Sequence, residues 1–145
     1  PSVRNVSDTV EAAILRKRTK DFEGAHRLFA EAYSVNPDDP KIVHDFAQTK
    51  IMLARDLWRK RDIQVKKKLN QEAAELLRRA IQLEDDPTRE AWCWFDLART
   101  LDWLRSPKNE VETAFLKARS LLPEEERFQK EYEIWQRKSQ PKKRQ

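Results

Sequence analysis

Three segments of the 145-residue chain repeat one arrangement of small and large apolar residues: Ala25–Phe29–Ala32, Ala73–Leu77–Ala80 and Val111–Phe115–Ala118. Steps of four and then three residues put each trio on one face of an α-helix, where the small members let a second helix approach closely. In the first and third copies a proline follows five residues after the last alanine, at Pro37 and Pro123. Such a repeat constrains the fold before any single residue is weighed, because each copy has an apolar face that only stacked neighbours can cover. It points to a scaffold rather than an enzyme.

Composition agrees with long helices. Charged residues make up 38% of the chain and there is a single glycine, which favours solvent-facing helices with few tight turns. Five Trp, six Phe and regularly spaced Leu and Ala argue against the disorder that high charge alone would imply. No apolar run approaches the roughly 20 residues that span a bilayer, and the polar stretch from Pro1 to Asp8 is not a signal peptide. The lone Cys93, between Trp92 and Trp94, cannot form an internal disulfide and reads as a packed thiol. A reducing, intracellular setting is the expectation, with cytoplasm and nucleus left open. A start at Pro1 reads as a piece of a larger protein, or as a removed tag or initiator.

The first helical hairpin is expected from about Val6 to Asn36. Ser7 is the expected N-cap, the turn falls near Thr19-Lys20-Asp21-Phe22, and Asn36-Pro37 ends the second helix. The stretch Lys20-Asp21-Phe22-Glu23-Gly24-Ala25, followed by Phe29, Ala32 and Pro37, resembles the second half of a tetratricopeptide repeat, a 34-residue helix–turn–helix unit with small residues at its eighth and twentieth positions. With Val6 as the first position, Ala13 is the eighth and Ala25 the twentieth. The resemblance covers repeats at about 6–39, 40–87 and 91–125. It implies an all-α fold, a right-handed superhelix of about three such hairpins with a C-terminal capping helix at about 124–138. Residues 1–138 are read as a single domain and 139–145 as a basic tail.

The third repeat fits on both helices, with Trp94, Leu97, Ala98 and Leu101 in the first and Val111, Phe115, Ala118 and Pro123 in the second. One extra residue falls in the Ser106-Pro107-Lys108-Asn109 turn, where Asn109 is the expected cap. The middle repeat departs from the pattern. Val43 and Ala73 are 30 residues apart where a standard repeat has 16, an excess of 14. Two sevens, each close to two helical turns, would lengthen both helices in phase, giving Pro40–Lys60 and Lys66–Leu83 as an extended hairpin; a disordered loop is the alternative. Phe128, Tyr132 and Trp135 form the apolar stripe of the last helix, with Pro123 expected in its first turn. A peptide-like interaction helix is the other reading of that segment.

Catalytic chemistry finds little support. His26 and His44 are the only imidazoles, neither at metal-ligand spacing with Cys or carboxylates, and one glycine cannot make a phosphate-binding loop. No catalytic residue, metal site or cofactor is expected. Asp38-Asp39 and Asp85-Asp86 flank prolines and read as helix caps. The resemblance implies a partner-binding groove at Val10, Ile14, Lys17, His44, Gln48, Trp92, Phe95 and Arg99, open to a protein or peptide segment, unless neighbouring helices cover these side chains. Chaperone-tail-binding members of the family clamp a carboxylate with Lys, Asn and Arg at such places. Here only Arg99 is compatible with that clamp.

Charge marks a second surface. From Arg55 to Lys68 seven basic residues face two acids, for a net +5, and Arg137 to Gln145 adds another +5 to a chain whose total is +5. Arg55, Trp58, Arg59, Lys60, Arg61, Lys66, Lys67 and Lys68 are therefore candidate contacts for nucleic-acid phosphates, with Trp58 as a stacking face. A solvated tip kept soluble by its charge is the competing reading. No membrane partner is expected, and the oligomeric state is not legible.

Overall fold

The computed structural model describes residues 5–57 and 62–140. Among them the chain is entirely helical, without strands: α1 (Val6–Arg18), α2 (Phe22–Val35), α3 (Pro40–Asp56), α4 (Ile63–Leu83), α5 (Pro87–Trp103), α6 (Lys108–Leu121) and α7 (Glu126–Ser139). They gather into two compact units, Pro1–Glu84 and Asp85–Gln145. In the first, α1 packs on α2, α2 on α3, and α3 on α4; in the second, α5 packs on α6 and α6 on α7.

Side-chain caps start most of these helices. Asp39 accepts from the Lys41 amide, and Asp86 accepts from the Thr88 and Arg89 amides, each just before a proline at the first helical position. Asp21 accepts from the Gly24 amide at 3.0 Å and pairs with Arg16. A Cβ at Gly24 would collide with that carboxylate, so glycine lets the cap fold over the first turn of α2. Three expected helix starts differ. Asn5, not Ser7, caps α1 by accepting from the Asp8 amide. Pro107 occupies the cap position of α6, while Asn109 lies inside the helix. Pro123 sits in the turn before α7, whose cap is Glu125.

All nine residues of the repeated trios are 2% exposed or less, as are Ala13, Ala47 and Ala98 on the other helix of each hairpin. Phe29, Ala25, Ala13 and Phe46 form a core in the first unit, with Val10, Ile14 and Leu76 packed against it. In the second unit the stripe of α7 is buried, Phe128 fully. Its Tyr132 and Trp135 rings each lie 5.8 Å from Phe115. Cys93 is buried in this unit too.

The 14 extra residues of the middle repeat are not shared as two sevens. Measured from the small core residues, α4 begins seven residues earlier than α2 or α6 does, α3 runs four residues further than α1 or α5, and three more fall between the helices. The expected end of α3 at Lys60 is replaced by a stop at Asp56, capped by an extended Leu57. Four and seven residues are about one and two turns, so both additions keep the apolar face in phase.

Two turns share a feature. Lys20 (φ 65°) and Arg105 (φ 58°) both adopt the left-handed conformation. Each is followed by an amide that reaches back five residues, Asp21 to the Arg16 carbonyl and Ser106 to the Leu101 carbonyl, both at 2.9 Å. This helix-ending turn favours glycine, since a side chain there costs about 1–2 kcal/mol. After the entropy glycine gives back in the unfolded chain, Lys20→Gly and Arg105→Gly should each stabilise by about 0.5–1 kcal/mol. Urea unfolding of the single variants checks this; an unchanged or lowered midpoint would mean the left-handed turn is not kept in solution.

Candidate functional site

The α3 helix presents chemistry on two faces. One face meets α1. There Lys17 donates to the Gln48 side chain at 2.9 Å, and Val6, Val10, Ile42 and Asp45 line a cleft with Glu11 and Lys41. Burial is the main cause pushing the Asp45 carboxyl above its usual range; Lys17 and His44 oppose it, Asp39 reinforces it and Lys41 again opposes it. The cleft therefore combines apolar side chains with a desolvated carboxylate, and the Lys17–Gln48 bond joins the same two helices.

The second face meets α2 and α4. Lys50 is only 6% exposed. Its ammonium lies 3.0 Å from His26 Nε2, 4.5 Å from the Phe46 ring centroid and 3.8 Å from the Glu72 carboxylate. Burial lowers the Lys50 pKa, against the opposing pull of Glu72. Sequence reasoning missed this cluster. A signal was present, because Val43, Phe46, Ala47, Lys50 and Ala54 follow helical spacing and Lys50 stands within that apolar stripe. A second missed signal is the pair Asp45-Phe46-Ala47-Gln48-Thr49 and Asp96-Leu97-Ala98-Arg99-Thr100. In both, the buried threonine hydroxyl donates to the aspartate carbonyl at 2.8 Å.

The expected groove residues divide between the units. In the first, Val10 lines the α1–α3 cleft, Lys17 and Gln48 are bonded to each other, and His44 is half-buried; Ile14 packs against the core. In the second, Trp92 is half-buried and meets Phe128 edge-on at 4.8 Å. Phe95 is fully buried, a correction to its reading as a groove residue: Phe128 of α7 sits 4.8 Å from its ring, and the Arg99 and Arg127 guanidinium groups lie at 5.4 and 5.1 Å. Of the basic hairpin, Arg55, Lys67 and Lys68 are exposed and Lys66 is half-buried. Trp58, Arg59, Lys60 and Arg61 lie outside the described residues, as do the last residues of the basic tail. Among the described residues, no cluster of His, Cys, Asp and Glu could hold a metal, and no helix is long and apolar enough to cross a membrane.

Comparison with solved structures fixes the fold class. The chain is similar to the type III secretion translocator chaperone SycD of Yersinia enterocolitica, with a TM-score of 0.74 at 13% identity over 97% of this chain and 98% of that one. The fold is a tetratricopeptide-like helical repeat. At that identity the likeness speaks for fold alone. MamA protein aligns with a TM-score of 0.39 at 16% identity, over 85% of this chain and 76% of that one, and adds nothing to the assignment. No protein-family model matches the chain, and no curated protein matches it in sequence.

The desolvated carboxylate has a checkable consequence. A raised folded-state pKa means that ionised Asp45 destabilises the fold above that pKa, and that the penalty fades as pH falls toward the unfolded value near 3.8. Asp45→Asn should therefore stabilise the chain at pH 7, with the advantage shrinking toward pH 4. Thermal unfolding at both pH values reads this. An Asn variant less stable at pH 7 would show that the carboxylate is well satisfied.

Proposed function

We propose that this chain is a protein-interaction module whose first unit receives a segment of another protein in the cleft between α1 and α3. The observation that carries the reading is the cleft itself: Val6, Val10 and Ile42 supply apolar walls, beside a carboxylate at Asp45. The Lys17–Gln48 bond joins the same two helices. Groups of this kind recognise an extended or helical segment through a few apolar anchors and a few directed polar contacts. The likeness to SycD, named as a translocator chaperone, is in keeping with a binding role rather than with catalysis. Trp92 and Arg99, half-buried on α5, are proposed as contact residues of the second unit in its own right. No observation favours nucleic acid over protein as the partner.

The test uses the full chain as bait. Val10→Glu puts a charge on the cleft wall at a half-buried position that also packs against the core, and should cut capture of the specific partner at least tenfold under conditions where circular dichroism shows the variant folded. A control change on an exposed residue of the second unit, Lys117→Glu, should leave capture unchanged. Equal capture by Val10→Glu and the parent would remove the cleft from the binding surface.

A further inference from the structure

We propose that the contact of α2 with α3 and α4 is acid-sensitive: protonation of His26 places a second cation against the buried Lys50 ammonium and loosens α3 from its neighbours. The geometry sets the terms. With His26 neutral, Nε2 accepts a hydrogen bond from the Lys50 ammonium across 3.0 Å, which leaves the ring proton on Nδ1. Once His26 is protonated, that lone pair is gone and two donors face each other at the same distance. Both side chains also pack on one ring, His26 at 5.3 Å and Lys50 at 4.5 Å from the Phe46 centroid, so neither cation can retreat without disturbing the core.

The surrounding charges do not cancel the repulsion. From α4, Glu72 faces the pair but stands 3.8 Å from Lys50 with its side chain 42% exposed, and Lys68 adds positive charge. Glu75 and Arg79 of α4 line the same cleft with Tyr33 of α2, and Arg79 is held by Asp38 and the Pro37 carbonyl. α1 faces the joint with Val10, Ala13 and Ile14, which are apolar. Burial first, and Lys50 second, hold the His26 pKa below its ordinary 6.5, with Glu72 opposing. A histidine depressed in this way binds its proton more readily in the unfolded chain. The contact is intact above about pH 6.5, and stability falls as pH drops through that value toward the folded pKa.

The repeat does not require a cation here. The equivalent position in α5 is Leu101, 5% exposed, so the Lys50–His26 contact between the first and middle repeats is not a requirement of the fold.

A proton NMR titration of the full chain tests the proposal, because the chain has two histidines and His44→Gln assigns them. His26 should titrate with a midpoint below 6.5, and that midpoint should rise in Lys50→Met. The fall in the urea midpoint between pH 7.5 and pH 5.0 should be at least halved in His26→Gln. A His26 midpoint at or above 6.5, no rise in Lys50→Met, or an undiminished acid response in His26→Gln would each overturn it. Should a variant fail to fold, the midpoint in the parent chain decides.

Discussion

Each helical hairpin closes on small residues that leave no room for larger ones. Ala13 with Ala25, Ala47 with Ala73, and Ala98 with Val111 occupy corresponding places, all 1% exposed or less. Helix axes pack about 8–10 Å apart according to the side chains at the contact, so small residues set the near end of that range and the large residues a turn away, Phe29, Leu77 and Phe115, fill the space beside it. Everything else hangs on this spacing. It determines which face of α3 meets α2 and α4, and therefore which face is left for α1 and the cleft. A larger side chain at Ala25 or Ala73 would do more than strain the core, because it would change which functional groups come within reach of one another.

The periodic part of the fold was legible because burial repeats with the helix. The trios, the caps at Asp39 and Asp86, and the aromatic stripe of α7 all rest on short-range spacing or on a single local hydrogen bond. The misread helix starts at Ser7, Asn109 and Pro123 each lie two residues from the observed caps, where several residues can begin a helix and only backbone geometry decides. The division of the 14 extra residues was ambiguous for a clearer reason. Phase alone accepts any near-whole number of turns, and four residues (about 40° past one turn) keep the face roughly in place, as seven (about 20° short of two) do. No pattern of apolar residues could have told the two divisions apart.

The candidate site was legible only where one helix suffices. Val10, Lys17 and Gln48 were named from positions that the family resemblance carries over, but the bond between Lys17 and Gln48 spans 31 residues and depends on how the helices meet. Phe95 failed for the complementary reason: a position carried over from a repeat family says nothing about the last helix, and here Phe128 of α7 packs against it. Lys50 was visible within the apolar stripe of α3 and was passed over because lysine is read as a solvent residue. The partner that makes it chemically unusual, His26, sits on another helix 24 residues away.

Comparing α3 with α5 separates what the repeat needs from what this chain has added. The two helices share Asp, Ala and Thr at the same places, and both threonines close onto the aspartate carbonyl. That shared frame is structural, since it recurs in both units. At the next position the frame diverges, with buried Leu101 in α5 and buried Lys50 in α3. A buried cation with one neutral acceptor and one half-exposed carboxylate at 3.8 Å is generally less stable than a hydrophobic side chain of similar volume. On the opposite face, Asp45 is desolvated as well. Both departures from an apolar or solvated environment therefore fall on one helix, the one shared between the α1 cleft and the α2–α4 joint. Because α3 is one continuous helix from Pro40 to Asp56, both charges are carried by the same element, on different faces of it.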